Sequence, residues 1–207
     1  MQLIRNQRGI SLLEMLITLA LGLVLLAALT SVFTNTLGVN SRSLKASQLQ
    51  EETLATLGLI VGDLRRSGYT ADFVTQVVDP TNANQDFRNS LVVGEHPDEV
   101  VNSCILFAYD ADQNGVNSGS TEAFGYRLRN QQVQRRQGGA LCGDNGWQGL
   151  TSADVIVVDA LQFTVTEVVT GTITEQQVQV RLQAHLQQDP TLSRELTQHV
   201  VLRNADF

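Results

Sequence analysis

Several things are missing from the first part of this chain. No proline precedes Pro80, and no lysine or arginine falls between Arg8 and Arg42. The first absence removes the strongest helix breaker from a long stretch. The second leaves that stretch free of the cations that would oppose burial in lipid. The two cysteines, Cys104 and Cys142, have no histidine and no further cysteine near them in sequence, so neither shows a metal-binding spacing. His96, His185 and His199 are scattered, and there is no HExxH, GxSxG, P-loop or GxGxxG pattern. Catalysis therefore has no motif to stand on, and Asp110 with Asp112 would serve as an acid/base pair only inside a cleft. A net charge of -7 and a sequence pI near 4.9 argue against a phosphate-binding groove, so nucleic acid is not an expected partner.

What is present begins with RNQRGISLLEMLITLALGLVLLAAL. Arg5 and Arg8 form a short basic leader ending in Gly9, and an apolar helix follows that carries one carboxylate, Glu14. The apolar run from Met15 to Phe33 reaches bilayer-spanning length, about 20 residues. A carboxylate in such a segment costs about 3 kcal/mol on insertion scales, which implies a partner that offsets the cost. A secretory signal has a shorter apolar core, and a plain single-pass anchor leaves Glu14 unexplained.

The arrangement resembles the class III signal of type IV prepilins. The resemblance implies that a dedicated peptidase cuts after Gly9 and methylates the new amino terminus, Ile10. The first mature residue is more often Phe in that family, and Ile10 departs from it. It also implies that Glu14 acts in assembly, pairing with the positive terminus at Ile10, its own or a neighbour's, once helices pack and exclude water. Arg5 and Arg8 orient the leader toward the cytoplasm.

Beyond Asn35 the chain turns polar, yet Leu54, Leu57, Ile60, Val61 and Leu64 keep a helical spacing. One continuous helix is expected from Ile10 to Arg66, roughly 85 Å long at 1.5 Å per residue. Gly22, Gly38, Gly58 and Gly62 would mark curvature or close packing. Arg65 and Arg66 suit the carboxyl-end dipole, and Gly68 suits a left-handed cap. The expected divisions are a leader (1–9), a transmembrane half-helix (10–34), a periplasmic half-helix (35–67) and a β-rich head (68–207).

The expected strands in the head are 104–109, 123–129, 132–136, 155–168, 176–186 and 195–202. Asn130 and Gln131 read as a tight turn. Val178, Val180, Leu182, Ala184 and Leu186 share one face of a strand, which needs an apolar cover, and the Leu49–Leu64 stripe is the candidate. The fold class is therefore α+β and pilin-like: a long N-terminal helix, membrane-spanning in its first half, packed on a mainly antiparallel sheet domain. In a periplasmic head Cys104 and Cys142 are expected to pair, closing a loop of about 39 residues for about 4 kcal/mol in the chain-entropy model.

Asp110, Asp112 and Asn114, followed by Gly115, place side-chain oxygens at alternate positions as in the first half of an EF-hand loop. The twelfth position is Thr121, with Glu122 one later, so the second half departs from that pattern. Calcium is the candidate ligand, against a solvated Asp/Asn/Gly turn; no other cofactor is expected. Arg127, Arg129, Arg135 and Arg136 read as alternate strand residues in solvent, or as a small basic patch. Trp147 reads as a contact residue or a loop anchor.

The segment SCILFAYDADQNGVNSGSTEAFGYRLRNQQVQRR looks like the PilW-type minor pilins: a Cys, an aromatic strand, an Asp-rich turn and an FGYRL-like strand. That resemblance implies a low-abundance subunit that joins other minor and major pilins in the complex priming pilus assembly. Its head would lie in the periplasm before assembly, its helix in the inner membrane, and the whole chain later in the pilus at the cell surface. The alternatives are a J-type minor pseudopilin of type II secretion and a membrane-anchored, calcium-dependent periplasmic binding module.

Overall fold

The structure is a computed structural model, which describes residues 9–79, 87–88, 90–170 and 173–203. Helix α1 spans Leu12–Leu64 without a break, as the lack of proline predicts. It starts two residues later than expected because Ser11 caps it: the Leu13 N–H donates to Ser11 Oγ at 3.3 Å, and the Ser11 carbonyl accepts from Met15 N–H at 3.1 Å. The chain divides into two compact units inside this helix, residues 1–45 and 46–207.

In the second unit the buried face of α1 is Leu49, Thr53, Thr56, Leu57, Ile60, Val61, Asp63 and Leu64. This differs from the expected stripe at Leu54, which is 46 % exposed. The threonines take the inner positions instead, and Thr53 tolerates burial because its hydroxyl donates to the Leu49 carbonyl at 2.7 Å. The four helical glycines are not packing contacts within this chain, since a Cβ added at Gly22, Gly38, Gly58 or Gly62 would meet nothing within 4 Å.

The helix ends at Leu64, and the two arginines follow it. Arg66 does not cap the helix carbonyls. Its guanidinium pairs with Asp63 at 2.6 Å and lies 5.0 Å over the Tyr109 ring. Gly68 takes the expected positive φ of 74°, but its N–H leaves the helix and bonds the Ala108 carbonyl at 2.9 Å. A six-residue helix, α2 (Phe73–Val78), follows; sequence periodicity did not single it out.

The strands are β1 (Val92–Gly94), β2 (Cys104–Ala108), β3 (Ala123–Arg129), β4 (Gln132–Arg136), β5 (Trp147–Gly149), β6 (Ile156–Thr170), β7 (Ile173–Leu186) and β8 (Asp189–Leu202). They form two antiparallel sheets rather than one, β1-β2-β3-β4-β5 and β6-β7-β8. β1 and β5 are three-residue edge strands, too short for a polarity pattern to reveal. β8 begins six residues before the expected 195 because its partner β7 extends the ladder along Leu186↔Asp189. Asn130 and Gln131 adopt φ of 51° and 60°, the mirror-image turn that matches strand twist.

One core joins the inner face of α1 to both sheets. It contains Ile105, Phe107, Tyr126 and Leu128 from the first sheet and Leu161, Phe163, Val178, Val180, Leu182 and Ala184 from the second. The expected face of β7 is thus buried. Leu57 and Ile60, at 1 % and 0 % exposure, each contribute about 2 kcal/mol of apolar transfer free energy.

Candidate functional site

Gly9 and Ile10 are exposed and lie just ahead of α1, and Glu14 sits in its first turn. Ser11 and Glu14 occupy the two positions of a capping box, which sequence reasoning missed, although S-x-x-E is legible in the chain. Glu14 thereby faces the positive end of the helix dipole, a favourable place for a carboxylate. The stretch that follows is exposed on every side: Leu16, Leu19, Leu23, Val24 and Phe33 are all between 59 % and 67 % exposed. α1 is the one helix, among the described residues, long and apolar enough to cross a membrane. Its hydroxyls suit such an environment, since Thr18 donates to the Met15 carbonyl at 3.0 Å and Thr30 to the Leu26 carbonyl at 2.8 Å.

In the head, Cys104 and Cys142 form a disulfide with Cα atoms 6.0 Å apart. Cys104 faces Arg127 across the β2–β3 ladder, and both hold the same loop. Arg127 is 6 % exposed and donates to the carbonyls of Cys142 at 2.6 Å and Asp144 at 2.9 Å, with its guanidinium 4.5 Å over the Trp147 ring. Trp147 is a loop anchor, its indole N–H donating to the Leu141 carbonyl at 3.1 Å. Arg136 crosses Gly125 and donates to the carbonyls of Ala140 at 2.6 Å and Gly139 at 2.8 Å. Arg127 and Arg136 are therefore not solvent residues, contrary to the strand-alternation reading. Desolvation lowers the pKa of both guanidiniums, and neither belongs to a free basic surface. Arg129 pairs with Asp98 at 2.9 Å and Glu99 at 3.7 Å, while Arg135 is exposed.

The Asp110 loop is drawn inward. Asp110 and Glu122 are 2 % and 1 % exposed, and with Asp112 they bring carboxylate oxygens within 4.8 Å of one another. Glu122, off the EF-hand register, supplies the third carboxylate, whereas the Asn114 side-chain oxygen accepts from the Val116 N–H at 2.7 Å. Most of these oxygens already accept main-chain N–H groups. Asp110 takes those of Ala71 and Gly115 at 2.9 Å and of Asn114 at 3.1 Å. Glu122 takes those of Ala111 at 2.8 Å and Ser118 at 2.7 Å. Desolvation pushes the Asp110 pKa up, but the amide donors outweigh it and hold the carboxyl below its usual range. The loop is organised by its own amides, as a calcium loop is organised by its ion.

A third cluster was not foreseen. Tyr126, 2 % exposed, donates its hydroxyl to Asp63, the buried carboxylate near the end of α1. Burial, followed by the bond to Asp63, raises the phenol pKa far above its ordinary value. Tyr109 stacks on Phe124 at 4.0 Å beside them. The histidines stay apart: His185 meets Asp159 at 2.9 Å, His96 accepts from the Asp98 N–H at 3.1 Å, and His199 is exposed.

A family model described as prepilin peptidase-dependent protein B matches residues 42–202, most of the chain. The chain belongs to the prepilin peptidase-dependent protein B family. A second model, the prokaryotic N-terminal methylation motif, matches residues 4–30. The chain is 24 % identical over 161 residues to prepilin peptidase-dependent protein B of Escherichia coli strain K12, covering 76 % of this chain and 77 % of that protein. It is also 24 % identical over 198 residues to an uncharacterized protein of Haemophilus influenzae strain Rd, covering 76 % of this chain and 80 % of that protein. No solved structure matches it. With the helix and the antiparallel sheets described above, this prepilin peptidase-dependent protein B relative is a type IV pilin-like protein. The families it matches are structural and not enzymatic.

Proposed function

We propose that the chain is a minor pilin of the PilW type. The prepilin peptidase cuts it after Gly9 and methylates Ile10; it rests in the inner membrane through 10–34 with its head in the periplasm. It then packs through α1 beside other minor and major pilins in the complex that primes a type IV pilus. The observation that carries this reading is Glu14, a single carboxylate in the first turn of an apolar helix exposed on every side, five residues after Gly9. In lipid such a carboxylate reaches for the headgroup region. Among packed helices it needs a cation, and the free amino terminus created at Ile10 is the nearest one the chain can supply.

Mass spectrometry of the mature amino terminus tests the proposal. A methylated Ile10 is the expected result, and a chain still starting at Met1 in cells with active peptidase refutes it. Glu14→Ala is expected to be processed and inserted normally yet lost from filaments. A J-type pseudopilin of type II secretion shares the helix motif, so co-purification with pili rather than with secretion pseudopili separates the two. A tethered calcium-dependent binding module would keep its leader and tolerate Glu14→Ala. Calcium at Asp110, Asp112 and Glu122 is a separate proposal, supported by the convergence of their oxygens, and calorimetry without heat up to millimolar calcium removes it.

A further inference from the structure

Two asparagine–glycine steps lie in loops of the head, Asn114–Gly115 and Asn145–Gly146, and the fold treats them in opposite ways. Glycine lacks a Cβ, so its main-chain nitrogen is open to approach by the preceding side chain. At Asn114 that approach is blocked twice. The Gly115 N–H donates to the buried Asp110 carboxylate at 2.9 Å. The Asn114 side chain is fixed at both ends, Nδ2 donating to Asp112 at 2.8 Å and Oδ1 accepting from the Val116 N–H at 2.7 Å. At Asn145 none of this applies. The residue is exposed, and among the described residues neither its side chain nor the Gly146 N–H makes a hydrogen bond. Gly146 holds a φ of 97°, while the loop around it is fastened by the disulfide, by Arg127 and by the Gly146 carbonyl, which accepts from the Gln137 N–H at 3.0 Å.

We propose that Asn145 is a site of spontaneous deamidation and that the Asp110 carboxylate holds Asn114 back from the same reaction. The Gly146 nitrogen gives its proton to a solvent base and attacks Cγ of Asn145. A nitrogen–Cγ bond forms, the Cγ–Nδ2 bond breaks, and ammonia leaves with a proton from water. Water then opens the cyclic imide at either carbonyl, giving aspartate or isoaspartate, with no change in oxidation state. The product adds one negative charge beside Asp144. The isoaspartate form also inserts one carbon into the main chain just before Gly146, two residues ahead of Trp147. At Asn114 the corresponding nitrogen anion would form against an ionised, buried carboxylate, and its hydrogen bond to that carboxylate would be given up.

The full chain in detergent is incubated in mildly alkaline buffer, sampled over time, reduced and cleaved at arginine. The two steps then fall in separate peptides, 89–127 and 137–181, each read by the mass increment of an amide-to-acid exchange. Conversion at Asn145 is expected to exceed that at Asn114 by about tenfold or more. That ratio corresponds to about 1.4 kcal/mol, the low end of what a hydrogen bond to a charged group contributes. In urea the two rates are expected to converge, and Asn145→Gln is expected to remove the faster one. Equal or faster conversion at Asn114 in the folded chain overturns the proposal. So does a tenfold difference that persists in urea, which would assign it to sequence and not to the fold. So, too, does an unchanged Asn145 when a short peptide of the same sequence converts in the same tube.

Discussion

Replacing Tyr126 by Phe removes one hydroxyl from the junction between α1 and the first sheet, at a cost that is full at neutral pH and shrinks at high pH. At neutral pH the loss is a hydrogen bond from a buried donor to a buried carboxylate, since Tyr126 and Asp63 are 2 % and 7 % exposed. Arg66 still pairs with the other Asp63 oxygen at 2.6 Å, so the carboxylate keeps one partner. The expected cost is about 2 kcal/mol, the usual range for a hydrogen bond to a charged group. At high pH the comparison changes. The Tyr126 phenol has its pKa raised by burial and by Asp63. Its contribution is therefore complete below the unfolded-state value of about 10 and is lost as pH rises from there toward the folded value. The wild type should lose about 1.4 kcal/mol from this group by about pH 11, while the Phe variant has no proton to lose there. Urea unfolding of residues 46–207, followed by Trp147 fluorescence at neutral pH and at about pH 11, reads both quantities. A gap of about 2 kcal/mol that narrows by about 1.4 is expected. A gap that stays constant with pH, or no gap at neutral pH, refutes the account of the buried phenol.

Gly125→Ala is expected to destabilise the head by about 1–3 kcal/mol, because the new Cβ would lie 2.6 Å from the Ile105 carbonyl oxygen and 3.3 Å from Arg136 Cδ; an unchanged melting temperature contradicts this. Replacing both Cys104 and Cys142 by Ala should cost about 4 kcal/mol, with the loop still held by Arg127, so that Trp147 fluorescence of the folded variant is unaltered. For Asp110, whose pKa is depressed, the stabilisation is present above the unfolded carboxylate value of about 4 and is lost as pH falls below it. Asp110→Asn should therefore lower stability at neutral pH and leave a flatter acid limb, and parallel acid limbs would rule that out.

The helix was legible because its signals are local: no proline, and apolar residues in long succession. The disulfide and the FGYRL strand were legible because strand alternation and redox compartment bear on single segments. What could not be read lies between segments. Leu54 has the composition of a core residue but points to solvent, because the inner face is decided by where the sheets stand, and two threonines occupy it. Arg127 and Arg136 look like surface cations in any strand pattern. Only the fold brings the carbonyls of Gly139, Ala140, Cys142 and Asp144 over them. The pairing of Asp63 with Tyr126 spans 63 residues, and nothing in either neighbourhood announces the other. Glu122 stands one place past an EF-hand register, and nothing in the sequence spacing announces that its carboxylate turns back toward Asp110 and Asp112.

β3 presents opposite chemistry on its two sides, Gly125 and Arg127 toward the loop and Tyr126 and Leu128 toward the core. Sliding this strand by a single residue would drive a guanidinium into the hydrocarbon interior and swing a phenol out into the loop carbonyls, both of which are heavily penalised. The hairpin is thus indexed from both sides at once: every odd-residue slip of this strand is penalised twice, by the stranded cation and by the displaced phenol.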